Sequence, residues 1–288
     1  MSSASSKLVR SDARAVMAKA AALLAAAAGA VALVASAPGP SSAQRPTDPG
    51  VPVPPVAAAP RVAAPELPLA GVRIALDPGH QLGNGRFPAM IQRLVPAGGF
   101  VKQCNTTGTE TNGGYPEATF NYTVMRLVQA RLEKLGATVL LDRTTNSESA
   151  WGPCVDQRGR FGATVHADLT VSLHADGAPA YGHGFHVITP AARNARSTEV
   201  VAASRRLALA LRSGFDDAGL ARSNYINHGF GLDTRWDLAT LNLSDVPVAM
   251  VEAGNMRNAG DARRMTSPVG RARYAGALVA GIRDYLGR

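Results

Sequence analysis

The chain has 288 residues, a formal net charge of +9 and 5% aromatic residues. With no recognition motif to accompany the charge, this balance argues against a nucleic-acid partner and points instead to anionic polymers or lipid surfaces. About 220 residues are globular in composition, enough for one α/β domain with a sizeable core.

Residues 1 to 19 are polar and basic, with Lys7, Arg10, Arg14 and Lys19, and residues 20 to 37 are almost wholly small and apolar. A positive leader, a hydrophobic run and then small residues predict a secretory signal over 1–43. Ala35-Ser36-Ala37 and Ser41-Ser42-Ala43 are both candidate cleavage sites. An uncleaved anchor is the alternative, since the apolar run approaches spanning length, but alanine is only weakly hydrophobic. Ten of the nineteen prolines fall within 38–69. Residues 44–69 therefore read as an extended Pro/Ala-rich tether ahead of a domain over 70–288. Loss of residues 1–43 removes four basic groups and Asp12, leaving +6. Export to the periplasm, cell wall or medium fits the two cysteines: Cys104 and Cys154 are expected to pair, closing a loop of about 50 residues and contributing roughly 4 kcal/mol.

Strands are predicted at 72–77, 137–142, 168–173, 184–189 and 247–252, and helices at 117–135, 198–215 and about 269–286. The first helix places Phe120, Val124, Leu127, Val128, Leu132 and Leu135 on one stripe. Strands alternating with helices imply a mostly parallel sheet of about six strands covered on both faces. The Gly- and Asn-rich stretch 83–115 reads as a long irregular loop, a length that usually accompanies function.

Ligands of an open parallel sheet gather at the carboxyl ends of its strands. Read that way, the first strand runs out at His80 in "IALDPGH", the third at His174 in "DLTVSLHAD" and the last at Glu252 in "PVAMVEAGN". Glu117 follows Pro116 in the first turn of a helix whose N-terminus faces the same edge. Two imidazoles and a carboxylate form the usual protein ligand set of a hydrolytic zinc ion, so His80, Glu117 and His174 are the candidate ligands. Glu252 is the candidate general base. Glu110 is a weaker candidate ligand because its loop is less fixed. Asp77 is a candidate for orienting neighbouring backbone or a ligand imidazole. His166, His183, His186 and His228 end no apolar strand and read as structural or surface residues, with His186 and His228 the two that could line a cleft.

"IALDPGH", the glutamate opening the next helix, "LDRT", "ADLTVSLHAD" and "PVAMVEAGNMRN" occur in the order seen in zinc-dependent N-acetylmuramoyl-L-alanine amidases of the amidase_3 family. The resemblance spans roughly 71–287. It implies that His80, Glu117 and His174 hold one zinc ion and that Glu252 is the catalytic glutamate. It also implies a substrate, peptidoglycan and its muropeptides, cut between N-acetylmuramic acid and L-alanine of the stem peptide. The exported, proline-tethered, single-domain layout is similar to the mycobacterial type. Gln81-Leu82 stands where relatives commonly carry two glycines, "VEAGN" replaces the usual "VETGF", and 83–115 is long for the family. Only about 190–197 is available for the inserted helix with which some relatives plug the site. No plug, no activator protein and a monomer are therefore expected. A zinc peptidase acting inside the stem peptide and a catalytically silent wall-binding module are the competing readings.

Overall fold

Alternation in one strand organises the molecule. In β5 (Leu169–Asp176), Leu169, Val171 and Leu173 enter the main apolar core, while Thr170, Ser172 and His174 point to the opposite face of the sheet, as a side-chain period of two requires. In β8 (Val248–Asn255), Ala249, Val251 and Ala253 join the same core, leaving Val248, Met250 and Glu252 on the other side. The sheet therefore has a thick hydrophobic face and a second face that carries polar groups.

The computed structural model describes residues 66–192 and 198–288. The predicted signal 1–43, nearly all of the tether and residues 193–197 lie outside them. The remaining strands are β1 (Arg73–Pro78), β2 (Leu94–Pro96), β3 (Val101–Gln103), β4 (Thr138–Leu141), β6 (His186–Pro190) and β7 (Leu232–Arg235). Helices are α1 (Pro88–Ile91), α2 (Glu117–Lys134), α3 (Val155–Thr164), α4 (Thr198–Asp217), α5 (Ala239–Asn242), α6 (Ala259–Thr266) and α7 (Pro268–Leu286). Six strands form one sheet in the order β4-β1-β5-β8-β6-β7, and β2 and β3 form a separate antiparallel pair. The pairings β1–β4, β1–β5, β5–β8 and β6–β7 are parallel, whereas β6 runs antiparallel to β8. The single α/β domain and its mostly parallel six-stranded sheet are as the sequence predicts, with the last two strands reversed.

Helices α2, α4 and α7 cover the thick face, contributing Phe120, Val124, Val128, Leu132, Leu207, Leu211, Phe215, Tyr274, Leu278 and Ile282 to one cluster. Phe120 meets Tyr274 edge to face at 5.4 Å between ring centroids. The α2 stripe differs from the prediction at one place: Leu127 is 36% exposed, and Met125 is buried instead. The buried positions Asn121, Val124, Met125, Val128 and Leu132 centre the apolar stripe so that Met125 falls inside it and Leu127 at its rim. On the opposite face α3 packs on β1 and α5 on β6 and β8, with Leu241, Ile188, Val248 and Met250 in a smaller cluster.

Residues 83–115 depart most from expectation. The stretch holds a 3-10 turn at Asn84–Arg86, α1 and the β2–β3 hairpin. The hairpin strands are three residues each, too short for a periodic signal to emerge from a glycine-rich background. Cys104, at the foot of β3, is bonded to Cys154 at the start of α3 across a sequence separation of 50 residues, with Val95 and Trp151 packed around the pair. Among the described residues, no helix is long and apolar enough to cross a membrane.

Candidate metal centre

β1 ends at Pro78, and His80 lies two residues beyond in a left-handed conformation, φ 60°. Such a backbone is uncommon outside glycine and persists only where its surroundings hold it. Two buried arginines supply that hold. Arg143 donates to the carbonyls of Pro78 at 2.7 Å and Ala118 at 2.8 Å, tying the turn to the first turn of α2. Arg158 donates to the carbonyls of His80 at 2.7 Å and Pro78 at 3.1 Å. Its guanidinium also pairs with the carboxylates of Asp77 and Asp142. Asp77 in turn accepts from Ser172 Oγ at 2.7 Å. Burial alone would raise the Asp77 pKa, but Arg158 and these hydrogen bonds bring it down to about 2.

Asp77 thus acts on neighbouring backbone through Arg158 and makes no hydrogen bond to an imidazole. Arg143 entered the sequence reading only inside the "LDRT" block, with no role assigned, and Arg158 did not enter it. The signal available for Arg143 was its place directly after the Asp142 that ends an apolar strand; Arg158, inside a helix of mixed composition, offered none.

Gly79 brings the ligand turn against β5. A Cβ built there would lie 2.3 Å from the His174 ring, a distance no real contact adopts. The His80 and His174 rings consequently sit edge to face at 4.7 Å between centroids. The backbone carbonyl of Thr106 lies 3.1 Å from His80 Nδ1. A carbonyl only accepts, so that nitrogen carries a hydrogen and Nε2 is the ring atom turned toward Glu117.

Glu117 enters from the N-terminus of α2 and is buried. Its Oε1 is 3.1 Å from His80 Nε2 and 3.0 Å from His174 Nδ1. The carboxylate is oriented by the backbone N–H of Ala175 at 3.1 Å, the N–H of Thr109 at 2.9 Å and Asn121 Nδ2 at 3.3 Å. Although burial pushes the Glu117 pKa up, the two histidines outweigh it and the carboxyl is held well below the ordinary range. The structure brings His80, Glu117 and His174 together: one potential ligand atom from each lies within 4.8 Å of the others. An ionised carboxylate and two imidazoles converging from three separate elements fit the donor set of a hydrolytic zinc ion. Glu110 is exposed and outside the group.

The strands do not stop at their functional residues, as the sequence suggested. β5 continues to Asp176 and β8 to Asn255, because their parallel pairing persists with a shift in register between His174 and Asp176. Glu252 pairs in register with His174 on one side and with His186 on the other. Its Oε2 is buried and finds no hydrogen-bond donor among the described residues. Burial, then the carboxylates of Asp176 and Glu117, push the Glu252 pKa well above the ordinary carboxyl value.

His186 was among the histidines read as structural, and it lies beside the site, 2% exposed, with Nδ1 3.6 Å from Asp176 Oδ2. Burial pushes its pKa down, favouring the neutral ring. Asp176 accepts from Tyr225 OH at 2.7 Å. The sequence signal for His186 was weak because it opens its strand, and only the antiparallel pairing with β8 puts it opposite Glu252. His166 and His228 are exposed, and His183 lies in the turn before β6.

A cavity of about 480 Å³ opens over His80, His174 and Glu252 and is walled by β3 and by the segment 238–240. The arrangement offers three converging ligands, an unengaged carboxylate able to take and return a proton, and space for a substrate beside them.

The family model described as N-acetylmuramoyl-L-alanine amidase matches residues 74–284. The N-acetylmuramoyl-L-alanine amidase Rv3717 of Mycobacterium tuberculosis is 41% identical over 221 residues, covering 76% of this chain and 88% of that protein. The structure of Ami1, the N-acetylmuramyl-L-alanine amidase of Mycobacterium smegmatis, superposes with a TM-score of 0.71 at 40% identity, covering 76% of this chain and 98% of that one. The apo form of Ami1 from Mycobacterium abscessus gives 0.70 at 43% identity, covering 76% and 100%.

Proposed function

Because the chain belongs to the N-acetylmuramoyl-L-alanine amidase family of hydrolases, we propose that it cleaves the amide between N-acetylmuramic acid and the L-alanine of the peptidoglycan stem peptide. The observation that carries this reading is the buried Glu252 Oε2, without a hydrogen-bond donor among the described residues, beside a converging His80–Glu117–His174 set. Those three residues would hold one zinc ion. Bound there, zinc supplies Lewis acidity, making water nucleophilic near neutral pH and polarising the scissile carbonyl.

The chain's own residues supply the rest. Glu252 is the general base that takes a proton from the attacking water and returns it to the departing nitrogen of L-alanine. A carboxyl with a raised pKa suits both halves of that exchange. Thr106 fixes the tautomer of His80, Asn121 and two backbone N–H groups fix Glu117, and Arg143 with Arg158 holds the turn that carries His80. A wall-binding module would have no use for a base placed beside the metal.

The signal-like residues 1–43 support export, and the tether 44–69 would let the domain reach into the wall. The enzyme needs no activator: β6 ends at Pro190 and α4 begins at Thr198, and the seven residues between them are few for a plugging helix.

The test is mass spectrometry of muropeptides incubated with the purified protein, with zinc, with chelator and with Glu252→Gln. Free stem peptide beginning at L-alanine, seen only with metal and intact Glu252, is the expected result. Cleavage inside the peptide would make the protein a peptidase. Bound zinc without any product would make it a binding module.

A further inference from the structure

Lys102 belongs to β3 and lines the same cavity as His80, His174 and Glu252. Its side chain is anchored: Nζ donates to the backbone carbonyl of Asp237 at 2.8 Å. The Asp237 carboxylate is already engaged, gripped by Arg235 through two hydrogen bonds of 2.8 and 2.6 Å. Lys102 therefore hydrogen-bonds a neutral oxygen, with the Asp237 carboxylate near enough to feel its charge, and keeps two N–H donors for the cavity. Arg158 is the other cation at the wall. Its nitrogens are taken by Asp77, Asp142 and the carbonyls of Pro78, His80, Gly152 and Pro153, so it has nothing left to offer a ligand.

The size of the cavity says what such a cation can reach. A volume of about 480 Å³ has a cube root of about 8 Å, and two extended residues span about 7 Å. A glycan strand is a polymer and must run across the surface, whereas the peptide branch can descend. A cavity of this size holds the scissile amide and about two residues beyond it, and Lys102 lines it together with His80, His174 and Glu252.

We propose that Lys102 is a specificity-determining residue that recognises a free carboxylate on the second residue of the stem peptide, so that the protein prefers acidic stems to amidated ones. This rests on the amidase reading above. An ammonium discriminates between these two groups because a carboxylate returns a charge-assisted hydrogen bond and a carboxamide only a neutral one. The Asp237 carbonyl pre-positions the ammonium, which reduces the ordering lost on binding.

The probes are two disaccharide tetrapeptides whose second residue, a D-glutamate joined through its γ-carboxyl, carries its α-carboxyl either free or as the primary amide. Steady-state hydrolysis is measured at low salt with the full chain loaded with zinc. The free-acid probe is expected to exceed the amide in kcat/KM by about tenfold, the size of one charged hydrogen bond, with the difference residing in KM. In Lys102→Met the ratio falls to near one, and in Lys102→Arg a preference for the acid returns. Equal use of both probes by the wild type, or a ratio unchanged in Lys102→Met, would overturn the proposal. If the wild type cuts neither probe, the amidase reading itself falls, and this proposal with it.

Discussion

The Cα atoms of Glu252 and His174 are partners in the parallel register of β5 and β8, and both side chains leave the sheet on the face away from the main core. Side chains so paired stand about 5 Å apart at their Cβ atoms, a spacing fixed by strand separation and not by any contact between them. A base and a ligand thus keep their distance because two strands do, which places the chemistry on adjacent strands in the middle of the sheet.

That relationship makes Glu252→Gln a clean probe. Glutamine preserves volume on the face it occupies but cannot accept a proton. Hydrolysis should fall by about 10²- to 10⁴-fold, in kcat more than in KM. Zinc content, measured by elemental analysis, should stay at the wild-type level, since Glu252 is not one of the three converging ligands.

Gly79 is the point where the ligand turn and β5 come closest. In Gly79→Ala the added methyl meets the His174 ring at a distance that forces one of them to move. Overpacking of this kind costs about 1–3 kcal/mol, and here the movement also separates two ligands. The variant should unfold at lower denaturant concentration and bind zinc more weakly by competition with a chelator. Unchanged zinc affinity would show that the turn is more compliant than its packing implies.

Asp77 links the site to the pH dependence of stability. Its folded pKa of about 2 lies below the ordinary 3.8, so its charge contributes stability that is complete above 3.8 and is lost as pH falls toward 2. Asp142 shares Arg158 but acts in the opposite sense: burial, more than any neighbour, raises its pKa, and its protonation relieves the folded state on acidification. Asp77→Asn removes one partner of a buried pair and should destabilise the protein by about 3 kcal/mol at pH 7. Denaturant titrations between pH 5 and 2 should show a shallower loss of stability in the variant than in the wild type.

The Cys104–Cys154 bond ties the β2–β3 hairpin to the start of α3, and the hairpin forms one wall of the cavity. Replacing both cysteines with serine should cost roughly 4 kcal/mol by releasing a loop of 50 residues in the unfolded chain. Reductant should lower the stability of the wild type and leave that of the double variant unchanged, as read from the urea midpoint.

Much of this was legible in one dimension. Apolar runs that break off at "DPGH" and "SLHAD" signal strands that deliver a polar group, since burying an imidazole without purpose is unfavourable. Pro116-Glu117 signals a helix start by its own chemistry, because the first-turn proline lacks the N–H that would go unpaired there. The amphipathic stripe of α2 followed from its spacing, except that Leu127 falls at the rim of the buried positions and Met125 inside them.

What the sequence by itself determined was therefore local: strand and helix types, the alternating faces of β5 and β8, and residue types suited to a metal and a base. Only the tertiary structure decided which of these meet. The reversal of β6 against β8 brings His186 opposite Glu252, and no property of "GFHVIT" encodes an antiparallel neighbour 66 residues away. Arg143 and Arg158 hold the His80 turn through carbonyls that any residue would present, so nothing in the neighbouring side chains announces them. The hairpin that carries Lys102 has strands too short for a period, and its place follows from a disulfide and a wall that exist only once the chain has closed. Local preference acts between residues a few positions apart, whereas register, crossing and closure depend on the whole sheet.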